Sequence, residues 1–319
     1  MLKNVLLNLL KVLITGALIA WLVRSGKLDF RLLASLLTNP VALLTGFFLT
    51  ILNVVLTSVR LRNILKVKSQ QELPLGGMIR VNWIGQFFSS IIPGSVSGDV
   101  IKVLYLQRLD QSFTKKFIFA SILVDRIVGL CGLIVLVGVS SVFYTLRSSE
   151  VPPVMQQLIN INYILTALVF LGFIAFYTCH QPIRKLLEKL PLLKNLVYFW
   201  DYLGLIRAHV LKAAVLSIFI QFMGVLIFWS LAHQYSDGEM NFLQTLTLVP
   251  MGLITLALPI APSGLGVGHV IFQKLFELNH IHNGASLFNL FFVVTLVVNL
   301  LGAVPYVLTK NKNLRRVDV

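Results

Sequence analysis

The sequence is poor in charged residues, and acidic residues are the scarcest of them. Only 12% of its 319 residues are charged, and it has 12 Asp and Glu but 27 Lys and Arg. Its mean hydropathy is +0.85. A soluble globular domain has about 25% charged residues. The composition therefore excludes that class and predicts an integral membrane protein.

Cysteine and the common catalytic motifs are also scarce or missing. Cys131 and Cys179 lie far apart, in or at the edge of hydrophobic segments, which favours neither a disulfide framework nor a CxxC site. The chain has no HExxH motif, no P-loop and no nucleophile with a base motif. We therefore expect no enzymatic activity and no cofactor. His280 and His282 have no third ligand at a plausible spacing, so no metal site is predicted.

The excess of basic residues gives a formal net charge of +15. The sequence contains no basic stripe on a soluble module, so we do not expect nucleic-acid binding. Basic residues that flank apolar segments are typical of membrane orientation and of attraction to anionic headgroups. Membrane lipids are therefore the expected partners, and a homo-oligomer is compatible with the sequence.

Hydrophobic segments predict the architecture, because a helical span needs roughly 20 mostly apolar residues. Six segments meet that requirement: residues 5 to 23, 41 to 59, 117 to 143, 161 to 178, 213 to 232 and 286 to 308. Two further stretches, about 76 to 106 and about 242 to 279, are interrupted by Pro, Gly and Ser. Neither half of an interrupted stretch is long enough to cross a bilayer comfortably. We therefore predict two re-entrant helical hairpins.

The positive-inside rule orients these elements. The basic residues assigned to the cytoplasm are Lys3, Lys11, Arg60, Arg62, Lys66, Lys68, Arg108, Lys115, Lys116, Arg184, Lys185, Lys189, Lys194, Lys310, Lys312, Arg315 and Arg316. The acidic loop with Asp237 and Glu239 is assigned to the outside. Both termini are then cytoplasmic, the first hairpin enters and leaves from the cytoplasm, and the second does so from outside.

The order of the elements predicts an inverted-topology repeat. Two spans, a hairpin and a span are followed by the same series in the opposite orientation. We expect an all-α polytopic protein with one membrane domain over residues 1–319, the first repeat in 1–150 and the second in 151–319. The letters GDVI at 98–101 can be laid against GHVI at 268–271.

Three ordered motifs carry a family resemblance. They are NWIGQFFSSIIPGSVSGDVIKVLYL (82–106), SILVDRIVGL (121–130) and LPIAPSGLGVGHVIFQKLF (258–276). Together they resemble the lysylphosphatidylglycerol synthase transmembrane-domain family, also called the flippase-like domain family. The resemblance implies movement of lipids between leaflets of a bacterial inner membrane. It also implies no synthase activity, since the family's cytosolic aminoacyltransferase domain would follow residue 319. His269 stands where the family often has Glu.

Four charged residues in the predicted membrane region need partners, because each costs about 2.5 to 3.5 kcal/mol at the centre of a spanning helix. They are Asp99, Lys102, Asp125 and Arg126. Asp125 and Arg126 diverge by about 100° on a helix. Arg126 is therefore expected to face Asp99, and Asp125 to face another donor such as Arg80. A structural ion-pair network is the alternative to a substrate site.

The candidate substrate-binding residues combine this cluster with the two helix breaks. They are Arg80, Asn82, Gln86, Ser90, Pro93, Gly94, Ser97, Gly98, Asp99, Lys102, Asp125, Arg126, Pro262, Ser263, Gly264, Gly266 and His269. Arginine suits phosphate because its planar fork matches the phosphate oxygens. The amides and hydroxyls of the first hairpin line a polar face or pack between helices. His269 either carries a proton or packs as a hydrogen-bonded side chain.

The leading hypothesis is a flippase or scramblase for an anionic or phosphate-bearing lipid. The alternatives are an ion- or proton-coupled transporter of small solutes and an intramembrane enzyme acting on a lipid-linked substrate. No ATP-binding motif is present, so uphill movement would need an ion gradient or a partner, with Asp99, Asp125 and His269 as candidate proton carriers.

Overall fold

The structure is a computed structural model, and it describes residues 38–92, 97–148, 150–190, 196–235, 240–257, 267–281 and 283–309. Within these ranges the chain is helical and contains no strand. The helices are α1 (Pro40–Leu65), α2 (Leu75–Ile91), α3 (Ser97–Leu109), α4 (Lys115–Arg147), α5 (Pro153–Thr178), α6 (His180–Lys189), α7 (Leu196–Leu205), α8 (Arg207–Ala232), a 3₁₀ turn (His233–Tyr235), α9 (Phe242–Ala257), α10 (Val267–Glu277), α11 (Gly284–Leu300) and α12 (Ala303–Leu308).

Five helical segments are long and apolar enough to cross a membrane. They are Pro40–Leu65, Lys115–Arg147, Pro153–Thr178, Arg207–Ala232 and Gly284–Leu308. Each contains one of the predicted spans. The remaining predicted span, residues 5 to 23, lies outside the described residues. The prediction of an all-α multi-pass membrane protein is therefore confirmed, and five of the six predicted spans lie in helices that are long and apolar enough to cross a membrane.

Local capping explains where two of these spans begin. Asn39 precedes α1, and its side-chain oxygen accepts a hydrogen bond of 3.1 Å from the Ala42 amide. Pro40 follows at the first helical position, where its missing N–H costs nothing. Thr114 caps α4 in the same way by accepting from the Phe117 amide at 3.2 Å. These caps satisfy amide donors that the first turn of a helix leaves unpaired.

Each interrupted stretch forms two short helices that pack against each other. The first stretch gives α2 and α3, and the second gives α9 and α10. Gly98 lies at the start of α3, and a Cβ there would overlap the carbonyl oxygen of Gly85 and the hydroxyl of Ser89. Only glycine allows the backbones of α2 and α3 to approach this closely.

The helix contacts of one half have counterparts in the other. Helices α1 and α8 pack on each other. Helix α4 contacts α8 and α9, and its counterpart α11 contacts α1 and α2. In the same way, α3 contacts α4, and α10 contacts α11. GDVI and GHVI both begin at the second residue of the short helix that follows a break, α3 and α10 respectively.

The buried apolar side chains form two clusters, one centred on each pair of short helices. The first includes Ile84, Phe87 and Leu106 from α2 and α3. The second includes Phe272 from α10 and Phe288 from α11. By contrast, α5 is mostly outward-facing, because only 11% of the residues in its apolar 18-residue stretch are buried. An apolar helix with this exposure is suited to contact with lipid chains.

Helices α6 and α7 form a small surface unit between α5 and α8. The His180 and Trp200 rings stack at 5.0 Å, and the Trp200 indole N–H donates to the His180 carbonyl at 3.0 Å. Arg184 on α6 pairs with Asp201 on α7 at 2.6 Å. These contacts tie the two helices together across residues 191–195.

Helices α4 and α8 are in backbone contact at Gly132. A Cβ at this position would lie 2.7 Å from the Cβ of Ser217 and 2.9 Å from its carbonyl carbon. We expect Gly132→Ala to lower the free energy of unfolding in detergent by about 1 to 3 kcal/mol, the usual cost of overpacking. Chemical denaturation of the purified protein measures this change.

Gly224→Ala on α8 is the matched control, since a Cβ there meets nothing within 4 Å. Alanine is a better helix former than glycine, so this variant should be as stable as the parent or slightly more stable. Equal effects of the two substitutions would contradict the close contact at Gly132.

Candidate functional site

Helices α1, α3 and α4 bring five charged side chains into one cluster, called the charged cluster below: Arg60, Asp99, Lys102, Asp125 and Arg126. Helix α4 supplies Asp125 and Arg126, which are adjacent in sequence and therefore point to different neighbours. Asp125 contacts Arg60 on α1, and Arg126 contacts Asp99 on α3.

The Arg60–Asp125 pair is the most buried part of the cluster. The Arg60 Nε donates to Asp125 Oδ1 at 2.7 Å, and Nη2 donates to Oδ2 at 2.9 Å. The two side chains are 7% and 15% exposed. The Arg60 Nη1 donates at 2.9 Å to the Ser217 hydroxyl on α8. This bidentate geometry is the strong form of an Arg–carboxylate contact, and it joins three helices at one point.

Small and polar residues make room for the Arg60 guanidinium. Gly129 lies one turn after Asp125, and a Cβ on it would be 3.2 Å from Arg60 Nη1. The Gly129 carbonyl accepts a hydrogen bond of 3.0 Å from the Gln221 side chain on α8. Ser217 donates in turn to the Ala213 carbonyl at 2.7 Å. The guanidinium therefore lies in a pocket whose polar groups are paired.

Asp99 and Arg126 form the second pair, as the sequence predicted. Arg126 Nε lies 2.6 Å from Asp99 Oδ2, and Lys102 Nζ lies 3.9 Å from Asp99 Oδ1. The exposed fraction of the side chain is 9% for Asp99 but 45% for Arg126. Arg126 therefore holds α3 through Asp99 while much of its side chain remains accessible.

Lys102 links the two pairs electrostatically. Its alkyl chain lies over Gly85, which has no side chain to obstruct it. Its ammonium group interacts with the charges of Asp99, Asp125, Arg126 and Arg60. The cluster therefore combines three basic side chains with two acidic ones.

One predicted pairing is wrong. Asp125 pairs with Arg60, whereas the sequence suggested Arg80, which lies on α2 and is only partly buried. Arg60 directly follows a predicted span that ends at residue 59, so the positive-inside rule assigned it to the cytoplasmic surface. Helix α1 instead continues to Leu65, with Leu61 and Ile64 buried. Those apolar residues after Arg60 were the available signal that the helix goes on.

Asn82 belongs to the packing between α2 and α1. It is 3% exposed, and its amide nitrogen lies 2.9 Å from the Thr57 hydroxyl and 3.0 Å from the Ser58 hydroxyl. A buried amide with these partners already has its donors engaged. Asn82 therefore links α2 to α1.

Gln86 and Ser90 lie on a different side of α2, towards α11. Ser90 donates to the Gln86 carbonyl at 2.9 Å, and it accepts from the Asn299 side chain at 3.1 Å. Thr295 and Asn299 of α11 line a cavity together with Gln86 and Ser90. The sequence analysis did not identify either α11 residue.

Several candidates from the two helix breaks lie outside the described residues: Pro93, Gly94, Pro262, Ser263, Gly264 and Gly266. Ser97 is the first residue of α3, and its hydroxyl donates to the Ile92 carbonyl at 3.3 Å. His269 is the third residue of α10, and its ring packs edge-on against Phe288 at 5.1 Å. Within the described residues no hydrogen bond or ion pair joins His269 to the charged cluster.

The described part of the chain contains no group of three or more His, Cys, Asp or Glu residues placed to hold a metal ion. The carboxylates of the cluster are instead bound to arginine.

The fold and the site define a multi-pass helical membrane protein with a buried ion-pair cluster next to a broken helix pair. Residues 8–311 match the family model described as the lysylphosphatidylglycerol synthase TM region. The match covers nearly the whole chain, and the protein belongs to this family. No curated protein and no solved structure matches it.

The Arg60–Asp125 pair should be essential for stability. Removal of one partner leaves an uncompensated buried charge, so we expect Arg60→Gln or Asp125→Asn to lower the free energy of unfolding in detergent by about 3 to 5 kcal/mol. The double variant should be less destabilised than the sum of the single variants. A double-mutant cycle from chemical denaturation measures the difference.

Arg184→Gln is the matched control. Arg184 also contacts a carboxylate through two nitrogens, but its side chain is 36% exposed and that of Asp201 is 44% exposed. Loss of this exposed pair should change stability little. Additive single effects at positions 60 and 125 would show that the buried pair has no coupling.

Proposed function

We propose that the protein moves an anionic, phosphate-bearing lipid between the leaflets of a membrane, as a flippase or scramblase that leaves the lipid chemically unchanged. The observation that carries the proposal is the charged cluster, which has three basic and two acidic side chains and a half-exposed Arg126. An intramembrane site in which basic side chains outnumber acidic ones suits a phosphodiester.

Arg126 is the residue best placed to meet the phosphate. Its Nε is engaged with Asp99, and 45% of its side chain is exposed, so that a ligand can reach the guanidinium. A planar guanidinium matches phosphate oxygens, and Lys102 would add a point charge. Arg60, buried in its pair with Asp125, would act as a positioning residue, because it holds α4 and therefore Arg126.

An apolar groove on α4 supports a lipid substrate over a soluble one. The groove has a volume of about 420 Å³ and lies between α4, α5, α7 and α8. Val124 and Ile127 are among the residues that line it. A lipid chain fits a groove of this composition.

The matching contacts of the two halves support an inverted repeat, with α2–α3 and α9–α10 as opposed re-entrant hairpins. In such proteins the substrate site lies near the midplane, and one half rocks against the other to alternate access. We place both termini in the cytoplasm and the protein in the bacterial inner membrane, on the distribution of basic residues and on the family. Uphill transport would use an ion gradient.

Lipid translocation in liposomes tests the proposal. Full-chain protein is reconstituted with fluorescent phosphatidylglycerol, phosphatidylethanolamine or a polyprenyl phosphate, with and without a proton gradient. We expect translocation of the anionic lipids, and we expect Arg126→Gln and Lys102→Gln to reduce its rate about tenfold or more, because each removes a cation that faces the phosphate.

Lys66→Gln is the control for loss of basic charge. Lys66 is exposed at the end of α1, away from the cluster. This variant should translocate lipid like the parent protein. Folded, inserted protein that moves no lipid under either condition would refute the proposal and favour a solute transporter.

A further inference from the structure

A cavity of about 200 Å³ lies between α2 and α11, separate from the cation–carboxylate contacts described above. Its polar lining consists of Gln86, Ser89 and Ser90 from α2 and Thr295 and Asn299 from α11. Residues four apart on a helix share a face, so each helix presents two of these groups to the same space. None of the lining residues is charged.

Two of the polar atoms are left without a partner. Gln86 Oε1 and Thr295 Oγ are buried, and neither makes a hydrogen bond within the described part of the chain. Buried polar atoms normally have partners, because an unpaired one is destabilising. Ser90, by contrast, is engaged with Asn299 and with its own helix.

Simple helix packing does not produce this arrangement on the other side of α2. There Asn82 makes direct hydrogen bonds to hydroxyls of α1. Helices α2 and α11 instead leave a cavity that Gln86 and Thr295 line, and the side-chain oxygens of these two residues are unpaired. The contrast indicates a site kept open for a ligand group.

The donors and acceptors define the chemistry of that group. Gln86 Oε1 accepts only, so it requires a donor, whereas the Thr295 hydroxyl both donates and accepts. Phosphate diester oxygens offer no donor. A hydroxyl satisfies both atoms, and the uncharged lining favours a neutral ligand. An alcohol-bearing group such as a diol or a sugar fits this description.

Ser89 connects the cavity to the charged cluster. It lines the cavity, and its hydroxyl lies against Gly98, the residue before Asp99. We propose that the cavity between α2 and α11 is a hydrogen-bonding subsite for an uncharged, hydroxyl-bearing part of the lipid headgroup, while the phosphate of the same lipid binds at the cluster. This inference rests on the proposed function and names the class of headgroup.

Two lipids of equal charge, one with headgroup hydroxyl groups and one without, test it. Short-chain phosphatidylglycerol and phosphatidylmethanol carry the same single negative charge, but only the first has a diol. Isothermal titration calorimetry with full-chain protein in detergent should give about tenfold tighter binding of phosphatidylglycerol, the factor expected for one or two added hydrogen bonds.

The variants assign the preference to the cavity. Thr295→Val and Gln86→Met remove a hydrogen-bonding group at nearly constant size, so we expect the preference to disappear while the affinity for phosphatidylmethanol stays constant. Thr295→Ser keeps the hydroxyl and should keep the preference. The constant phosphatidylmethanol affinity also shows that the variants are folded.

The outcomes separate this inference from the proposed function. Equal affinity of the parent protein for the two lipids, or a preference that survives both Thr295→Val and Gln86→Met, would overturn the subsite alone. A diol preference that depends on Thr295, found with protein that moves no lipid in liposomes, would support the subsite and refute transport. No binding of either lipid would overturn both.

Discussion

The bidentate contact between Arg60 and Asp125 is the interaction on which the arrangement of the site depends. A lone arginine or aspartate costs several kcal/mol in the membrane interior. The pair therefore holds α1, which carries Arg60, next to α4, which carries Asp125. With the hydrogen bond to Ser217, the pair fixes α1, α4 and α8 at one level. Asp125 and Arg126 are adjacent in α4 and point in different directions, so the same contact directs Arg126 towards α3 and Asp99.

Hydrophobicity and spacing predicted the helical class, the five described helices that are long and apolar enough to cross a membrane, and the Asp99–Arg126 pair. Apolar length and helical periodicity are local properties of the chain, so the sequence alone reveals them. They did not predict the partner of Asp125. Arg60 resembles a flanking charge in one dimension, and only the packing of α1 against α4 shows that it is buried. Thr295 and Asn299 were missed for a related reason: a single polar residue in an apolar helix carries no mark of the distant helix that it faces.

The two halves share helix contacts but differ in chemistry. Asp99 and His269 occupy the third position of α3 and α10. Asp99 binds the Arg126 side chain of α4, whereas His269 packs against the Phe288 ring of α11. Helix α11 has helix contacts that match those of α4. An ion pair in one half thus corresponds to an aromatic contact in the other. Charge is therefore concentrated around α3 and α4, whereas the corresponding contact between α10 and α11 is apolar.

The exposure of Arg126 also affects the surrounding bilayer. The residue lies eleven positions after the start of α4, about 16 Å along the helix axis, and its side chain is 45% exposed. A charged group at such a depth is accommodated by snorkelling, by water defects and by local thinning of the hydrocarbon layer. A bilayer that surrounds α4 would therefore be thinner and wetter beside Arg126 than along the apolar helix α5.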